Sequence, residues 1–170
     1  MALLSVDDLR VEFGGIVALA DLTFQIEDGH ICALIGPNGA GKTTLFNCLS
    51  RLYHPTSGSI RFDGHDLLRL PAHRIARLGI ARTFQNLALF PALTVMENVL
   101  VGGYTHGRVG PKRRAEAYAI LERLSLADLA SRPAAGLAYG TLKRIEIARA
   151  LAARPRLLLL DEPEIGRAHV

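Results

Sequence analysis

Hydrophobic and polar positions change their period several times along the chain. Residues 4–13 read as a strand that ends at the turn Gly14-Gly15. Leu22, Phe24 and Ile26 alternate with Thr23 and Gln25, the two-residue period of a half-buried strand. Glu27-Asp28-Gly29 is a turn, and Ile31-Cys32-Ala33-Leu34-Ile35 is a continuous apolar run of the kind that fills a buried central strand. A glycine-rich stretch follows, then a predicted helix over about 42–52. Residues 59–62 form a further strand, closed by Asp63-Gly64. A short helix with Pro71 at its start is expected over 71–78, and a strand over 80–84. From 86 to about 132 the period is helical, carried by 94–100 and 112–124 and broken at Gly102-Gly103 and at 107–111. After a loop at 133–140, residues 141–152 read as a helix with Leu142, Ile145, Ala148 and Leu151 on one face. Residues 157–160 read as a second buried strand. The layout is an α/β core with a helical insertion at about 86–140.

Composition narrows this picture. The chain has 170 residues, about half of them hydrophobic, enough for one sizeable core. Its net charge of +4 is spread thinly, and the densest basic cluster is Lys112-Arg113-Arg114, which reads as a solvated helix start. No aromatics interleave with that cluster, so nucleic acid is not expected as a partner. Cys32 and Cys48 show no metal-ligand spacing and read as small core residues in a reducing compartment. His30, His54 and His65 fall in loops or turns and pair at no metal spacing. No apolar run approaches the ~20 residues that span a bilayer. A cytoplasmic location is expected, with any membrane role supplied through partners.

Gly36-Pro37-Asn38-Gly39-Ala40-Gly41-Lys42-Thr43 satisfies the phosphate-loop pattern G-x-x-x-x-G-K-[ST] in full, between an apolar strand and a helix. Glycines let the backbone bend so that successive N–H groups face the phosphates, and the helix adds its positive end there. Lys42 brings a point charge to the β- and γ-phosphates, Thr43 a hydroxyl to Mg²⁺, and Thr44 is counted with the nucleotide contacts. The loop alone does not choose among kinases, GTPases and transport ATPases.

Leu157-Leu158-Leu159-Leu160-Asp161-Glu162 places two carboxylates after four apolar residues. Such a strand, expected beside the phosphate strand, is the magnesium-holding element of P-loop enzymes. Asp161 is the candidate Mg²⁺ ligand, through water. Glu162 is the candidate base that orients and deprotonates the attacking water, a role that contributes about 10²–10⁴-fold.

Between the two sites lies Leu137-Ala138-Tyr139-Gly140-Thr141, followed by L-K-R-I-E-I-A-R-A-L. This resembles the signature segment of ABC ATPases, usually written L-S-G-G-Q; Leu137 and Gly140 match, and Ala138, Tyr139 and Thr141 depart. The L-A-Y-G form with its basic pair is similar to the subunits that power branched-chain amino-acid import. So are G-I-A-R-T-F-Q-N at 79–86 and the stretch from Leu89-Phe90 to Thr94-Val95-Met96-Glu97-Asn98. Urea, amide and lipopolysaccharide systems have related subunits and remain the alternative. The resemblance covers 4–163 and implies a P-loop NTPase core, a RecA-like sheet with N-terminal antiparallel strands. It also implies ATP and Mg²⁺ as cofactors, a homo- or heterodimer with a second ATP-binding subunit, and two transmembrane permeases at the inner face of the membrane. Three residues gain roles from it. Phe13 stacks on adenine, Gln85 contacts Mg²⁺ or water, and Gly140 faces the γ-phosphate held by the opposite subunit. Ala138 lacks the hydroxyl of the usual serine.

After Pro163 the family pattern stops. Glu164-Ile165-Gly166-Arg167-Ala168-His169-Val170 matches, residue for residue, the translation of a common sequencing-library adapter read after one G. The expectation is an ATP-binding domain over 1–163 with its C-terminal part missing, and a non-native tail whose His169 is no switch histidine. For such a chain taken alone, nucleotide binding without hydrolysis is the alternative to turnover. Soluble ABC proteins of DNA repair or translation are a further rival, but their long insertions and second cassette are absent from the sequence.

Overall fold

The computed structural model describes residues 2–84, 87–107 and 110–161. The chain divides into two compact units, residues 1–75 and 76–170.

In the first unit, β1 (Ala2–Phe13) and β2 (Ile16–Glu27) form a long antiparallel hairpin, with Phe13 opposite Ile16 and Leu4 opposite Ile26. β3 (Ser57–Phe62) joins the other edge of β1, and β4 (His65–Asp66) closes a sheet of order β2-β1-β3-β4. Leu4, Val6, Leu9 and Val11 of β1 are buried with Ile60 and Phe62 of β3. Each such side chain contributes about 1.5–3 kcal/mol by leaving water. α1 (Lys42–Leu49) adds Leu45, Cys48 and Leu49 to the buried set.

α1 ends three residues earlier than the apolar pattern suggests. Arg51 turns left-handed at φ 58°, the Leu52 N–H reaches the Asn47 carbonyl at 2.8 Å and the Arg51 N–H reaches that of Cys48 at 3.0 Å. This is a Schellman stop with arginine in the usual glycine place. The Arg51 guanidinium is anchored on the Leu68 and Leu70 carbonyls at 2.9 and 3.2 Å.

The expected central strand over 31–35 is not formed. Ile31 and Ile35 are 102% and 91% exposed, and Cys32, expected in the core, is exposed as well. A strand requires a neighbour for its N–H and C=O groups, and among the described residues none is paired with this segment. An apolar run reports the burial it is suited to; the ladder partner must come from elsewhere in the chain.

The second unit pairs β5 (Ile80–Arg82) in parallel with β6 (Leu157–Leu159), Arg82 opposite Leu159. Among the described residues β6 pairs with β5 alone. Both strands are shorter than the sequence suggests, and Leu160 is 37% exposed. The helix expected over 71–78 is one turn, α2 (Ala72–Ile75), at the end of the first unit, followed by a 3-10 turn at Ala76–Leu78 that opens the second. Three further helices, α3 (Val95–Gly102), α4 (Pro111–Arg123) and α5 (Tyr139–Ala152), enclose Val95, Val99, Leu121, Leu126, Ile145 and Ala148. α3 starts with a capping box: the Thr94 hydroxyl accepts from the Glu97 N–H at 3.2 Å, and Glu97 accepts from the Thr94 N–H at 2.8 Å. The Thr94 N–H and then the Thr94 hydroxyl, both donating to the Glu97 carboxylate, hold that carboxyl below its ordinary value. At the α3–α5 crossing a Cβ on Gly102 would lie 1.9 Å from the Arg149 carbonyl oxygen, so only glycine permits the approach. Of the basic cluster, Lys112 and Arg114 are solvated as expected, while Arg113 donates back to the Gly103 and Gly107 carbonyls.

Candidate functional site

Residues 36–41 form a loop that feeds straight into α1, whose first residues are Lys42 and Thr43. Gly39 and Gly41 sit at φ 81° and 83°, and Gly41 is the helix N-cap, with no side-chain cap bond. A Cβ on Gly41 would meet the Ala18 carbonyl oxygen at 2.5 Å and the Leu19 side chain at 2.6 Å, so β2 presses directly on the loop. The first turn of α1 carries no acidic residue, leaving its N–H groups and the positive helix end for an anion. Lys42 folds back over the loop: its Nζ donates to the Gly36 and Pro37 carbonyls at 2.6 and 2.8 Å. Pro37 also accepts the Ala40 N–H at 3.2 Å, which closes the turn over Asn38 and Gly39. Thr43 is exposed and Thr44 half-buried at the helix start.

Phe13 ends β1 before the Gly14-Gly15 turn and is 47% exposed. Its ring meets that of Tyr53 at 5.3 Å between centroids and 73° between planes.

Asp161 is placed differently, in the second unit. It is only 6% exposed, and its Oδ2 accepts from Arg82 Nη2 at 2.8 Å. The strand ladder continues past β5 and β6 through a side chain: the Thr83 N–H donates to the Leu159 carbonyl at 3.0 Å, and the Asp161 N–H donates to Thr83 Oγ1 at 3.2 Å. Arg82 also lies 5.2 Å from the Phe84 ring centroid. Two sequence candidates, Gln85 and Glu162, lie outside the described residues. Among the described residues no group of three or more His, Cys, Asp or Glu side chains could hold a metal by itself.

The ABC transporter family profile matches residues 19–164. The chain belongs to that family. It is 44% identical over 179 aligned residues to the high-affinity branched-chain amino acid transport ATP-binding protein BraF of Pseudomonas aeruginosa, covering 96% of this chain and 70% of BraF. The same identity and coverage relate it to LivG of Escherichia coli, which carries the same description. Among solved structures, the ADP conformation of MJ1267, an ATP-binding cassette of an ABC transporter, superposes with a TM-score of 0.87 at 31% identity, over 99% of this chain and 71% of that one.

Within this ABC subunit the signature-like segment runs into α5. Gly140 is the second residue of the helix, a Cβ there would meet nothing within 4 Å, and Ala138 at the N-cap makes no side-chain cap bond. Tyr139 is 59% exposed, its ring centroid 5.8 Å from Lys143 Nζ. One turn on, α5 buries charge. Lys143 and Glu146 are 4% and 1% exposed, 3.6 Å apart, and between them they take both backbone groups of Phe84. Glu146 accepts its N–H at 3.1 Å, and Lys143 donates to its carbonyl at 3.0 Å. Arg149 stands 4.0 Å from Glu146 and donates to the Ala88 carbonyl, and burial pulls its guanidinium below the ordinary range against the pull of Glu146. α5 thus grips the chain on both sides of position 85. Sequence reasoning assigned no role to Arg82, Thr83, Lys143 or Glu146. One signal was available: charges of alternating sign at 143, 146 and 149, a spacing that keeps one helix face.

Proposed function

We propose that this ATP-binding subunit hydrolyses ATP, paired with a second such subunit, to drive branched-chain amino-acid import through two membrane permeases. The observation that carries the reading is the stretch at 36–43: a left-handed Gly41 wedged against β2, a helix start with no side-chain cap bond, and a lysine bent over the loop carbonyls. A triphosphate would take the N–H groups of this loop and draw Lys42 off the carbonyls of Gly36 and Pro37. Thr43, Asp161 and Gln85 are the residues that would hold Mg²⁺. A hydroxyl, a carboxylate and an amide suit an oxygen-seeking ion that keeps water and phosphate in its shell, rather than a protein-only cage. When bound, Mg²⁺ spreads the phosphate charge.

Phe13 receives the adenine. Glu162 orients the attacking water and takes its proton. Gly140 and the uncapped start of α5 face the γ-phosphate held by the opposite subunit. Support for the substrate comes from the L-A-Y-G form at 137–140, the pattern at 141–151, and the descriptions of BraF and LivG. Among the described residues no helix is long and apolar enough to cross a membrane, so attachment at the inner face would run through the permeases.

A second reading is nucleotide binding without turnover by the chain alone. Phosphate release by the chain, with Glu162→Gln as control, separates the two. ATP-dependent phosphate release that stops in Glu162→Gln supports the first reading; ATP binding with no release in either protein supports the second. Leucine uptake into vesicles carrying the subunit with its permeases then tests the substrate. Uptake is expected to require ATP, and ATP hydrolysis without leucine uptake would contradict the assignment.

A further inference from the structure

We propose that Tyr53 is a positioning residue that holds the Phe13 ring in place for the base of a purine nucleoside triphosphate. The inference rests on the reading that residues 36–44 take nucleotide phosphates. β2 presses on Gly41 through Ala18 and Leu19, and Phe13 lies opposite Ile16 across the hairpin. Ile16 is two residues from Ala18, about 7 Å along a strand. The hairpin end therefore stands beside the loop, at the reach of a base beyond its ribose and phosphates.

That end is unusually apolar for a surface. Phe13 and Tyr53 are 47% and 40% exposed, with Ile16 at 74% and Val17 at 43%. Single exposed apolar residues are ordinary, whereas several on adjacent rungs mark a binding surface. Phe13 closes β1 opposite Ile16, before two glycines at φ 54° and 86°, so the hairpin holds its backbone while its ring stays half-exposed.

Tyr53 is fixed from both sides. Its N–H donates to the Asn47 carbonyl of α1 at 3.2 Å, just after the Schellman stop at Arg51. Thr56 then stitches the segment to β1: its N–H donates to the Arg10 carbonyl at 2.7 Å, and its hydroxyl accepts the Glu12 N–H at 3.0 Å. The T-shaped contact at 5.3 Å therefore sets the ring of Tyr53, carried on this pinned segment, against the half-exposed ring of Phe13. α1 begins at the phosphate loop and leads to Tyr53, so one short helix sets both ends of the nucleotide site.

The test compares ATP with inorganic tripolyphosphate, which can occupy the loop but has no base. Equilibrium binding of both is measured on the unsubstituted chain, Tyr53→Ala, Tyr53→Leu and Tyr53→Phe. Losing an aromatic pair of this geometry is expected to weaken ATP binding about 3- to 10-fold while tripolyphosphate binding stays within about twofold. Tyr53→Phe restores ATP binding. Tyr53→Leu keeps apolar bulk without a ring and behaves like the alanine variant, which guards against a folding artefact. ATP affinity unchanged in both ringless variants overturns the proposal, and so does an equal loss for tripolyphosphate. Failure of the underlying reading looks different: ATP then binds equally to Lys42→Ala, or to no protein in the series.

Discussion

Lys42 and Arg82 are both cations beside expected oxygen ligands, and the structure holds them in opposite ways. Lys42 is half-buried and leans on two carbonyls of its own loop, contacts five and six residues apart in sequence. Arg82 is buried against Asp161, 79 residues away, beside a hydrogen-bonded cluster of Thr83, Phe84, Lys143 and Glu146. The loop is thus a local object, shaped by glycine backbone and open to a ligand. The acidic end is assembled by tertiary structure and closed by charge pairing. A region of the first kind can lose a side chain at little cost to stability; one of the second kind cannot.

The largest effect is expected at Glu146. Glu146→Ala leaves Lys143 and Arg149 buried without their carboxylate, and removing one member of such a set costs about 3–5 kcal/mol. Urea unfolding of the substituted chain should show the loss, and a change below about 1 kcal/mol would show that the cluster is solvated rather than buried.

A smaller effect separates the two cysteines. Burial pushes the Cys48 thiol up to about 11 from its ordinary 9.0. A raised value means that the fold favours the protonated thiol. Its contribution is complete below about pH 9 and lost as pH rises toward about 11, a difference on the order of 2–3 kcal/mol. Unfolding at pH 8 and pH 10.5 should differ more in the unsubstituted chain than in Cys48→Ala; equal slopes would contradict this. Cys32 lies exposed in the unpaired segment before the loop, so a thiol reagent at neutral pH should label it quickly while Cys48 stays protected.

The smallest effect is local. Thr94→Ala removes the capping box of α3 and should cost about 1 kcal/mol, measured as a fall in thermal midpoint. It should leave ATP binding unchanged, because Thr94 lies in neither region.

What could be read beforehand follows the same division. β1, the second half of β2, β3, the helical stretch and the glycine turns at 36–41 were legible, because alternation, helical period and glycine placement are written within a few residues of where they act. The loop's eight residues even state its backbone, since Gly39 and Gly41 occupy positive φ. Three kinds of feature were not legible. The run at 31–35 shows its apolar character but not that, among the described residues, no strand pairs with it. The end of α1 depends on Arg51 adopting a turn normally given to glycine, stabilised by carbonyls at 68 and 70. The partners of Asp161 and Phe84 come from segments 60 to 80 residues distant, and no motif marks Arg82 or Glu146 as their contacts.

The most direct test of the account is equilibrium binding of ATP with Mg²⁺ to the unsubstituted chain and to Lys42→Ala, with urea unfolding of both. Lys42 is expected to contribute about 1.5–3 kcal/mol to phosphate binding, so affinity should fall roughly ten- to over a hundredfold. Stability should change by less than about 1 kcal/mol, because the lysine bonds only to its own loop. ATP binding of equal strength in the two proteins, or a substituted chain that loses its fold along with its ligand, would contradict a locally built phosphate site at residues 36–44.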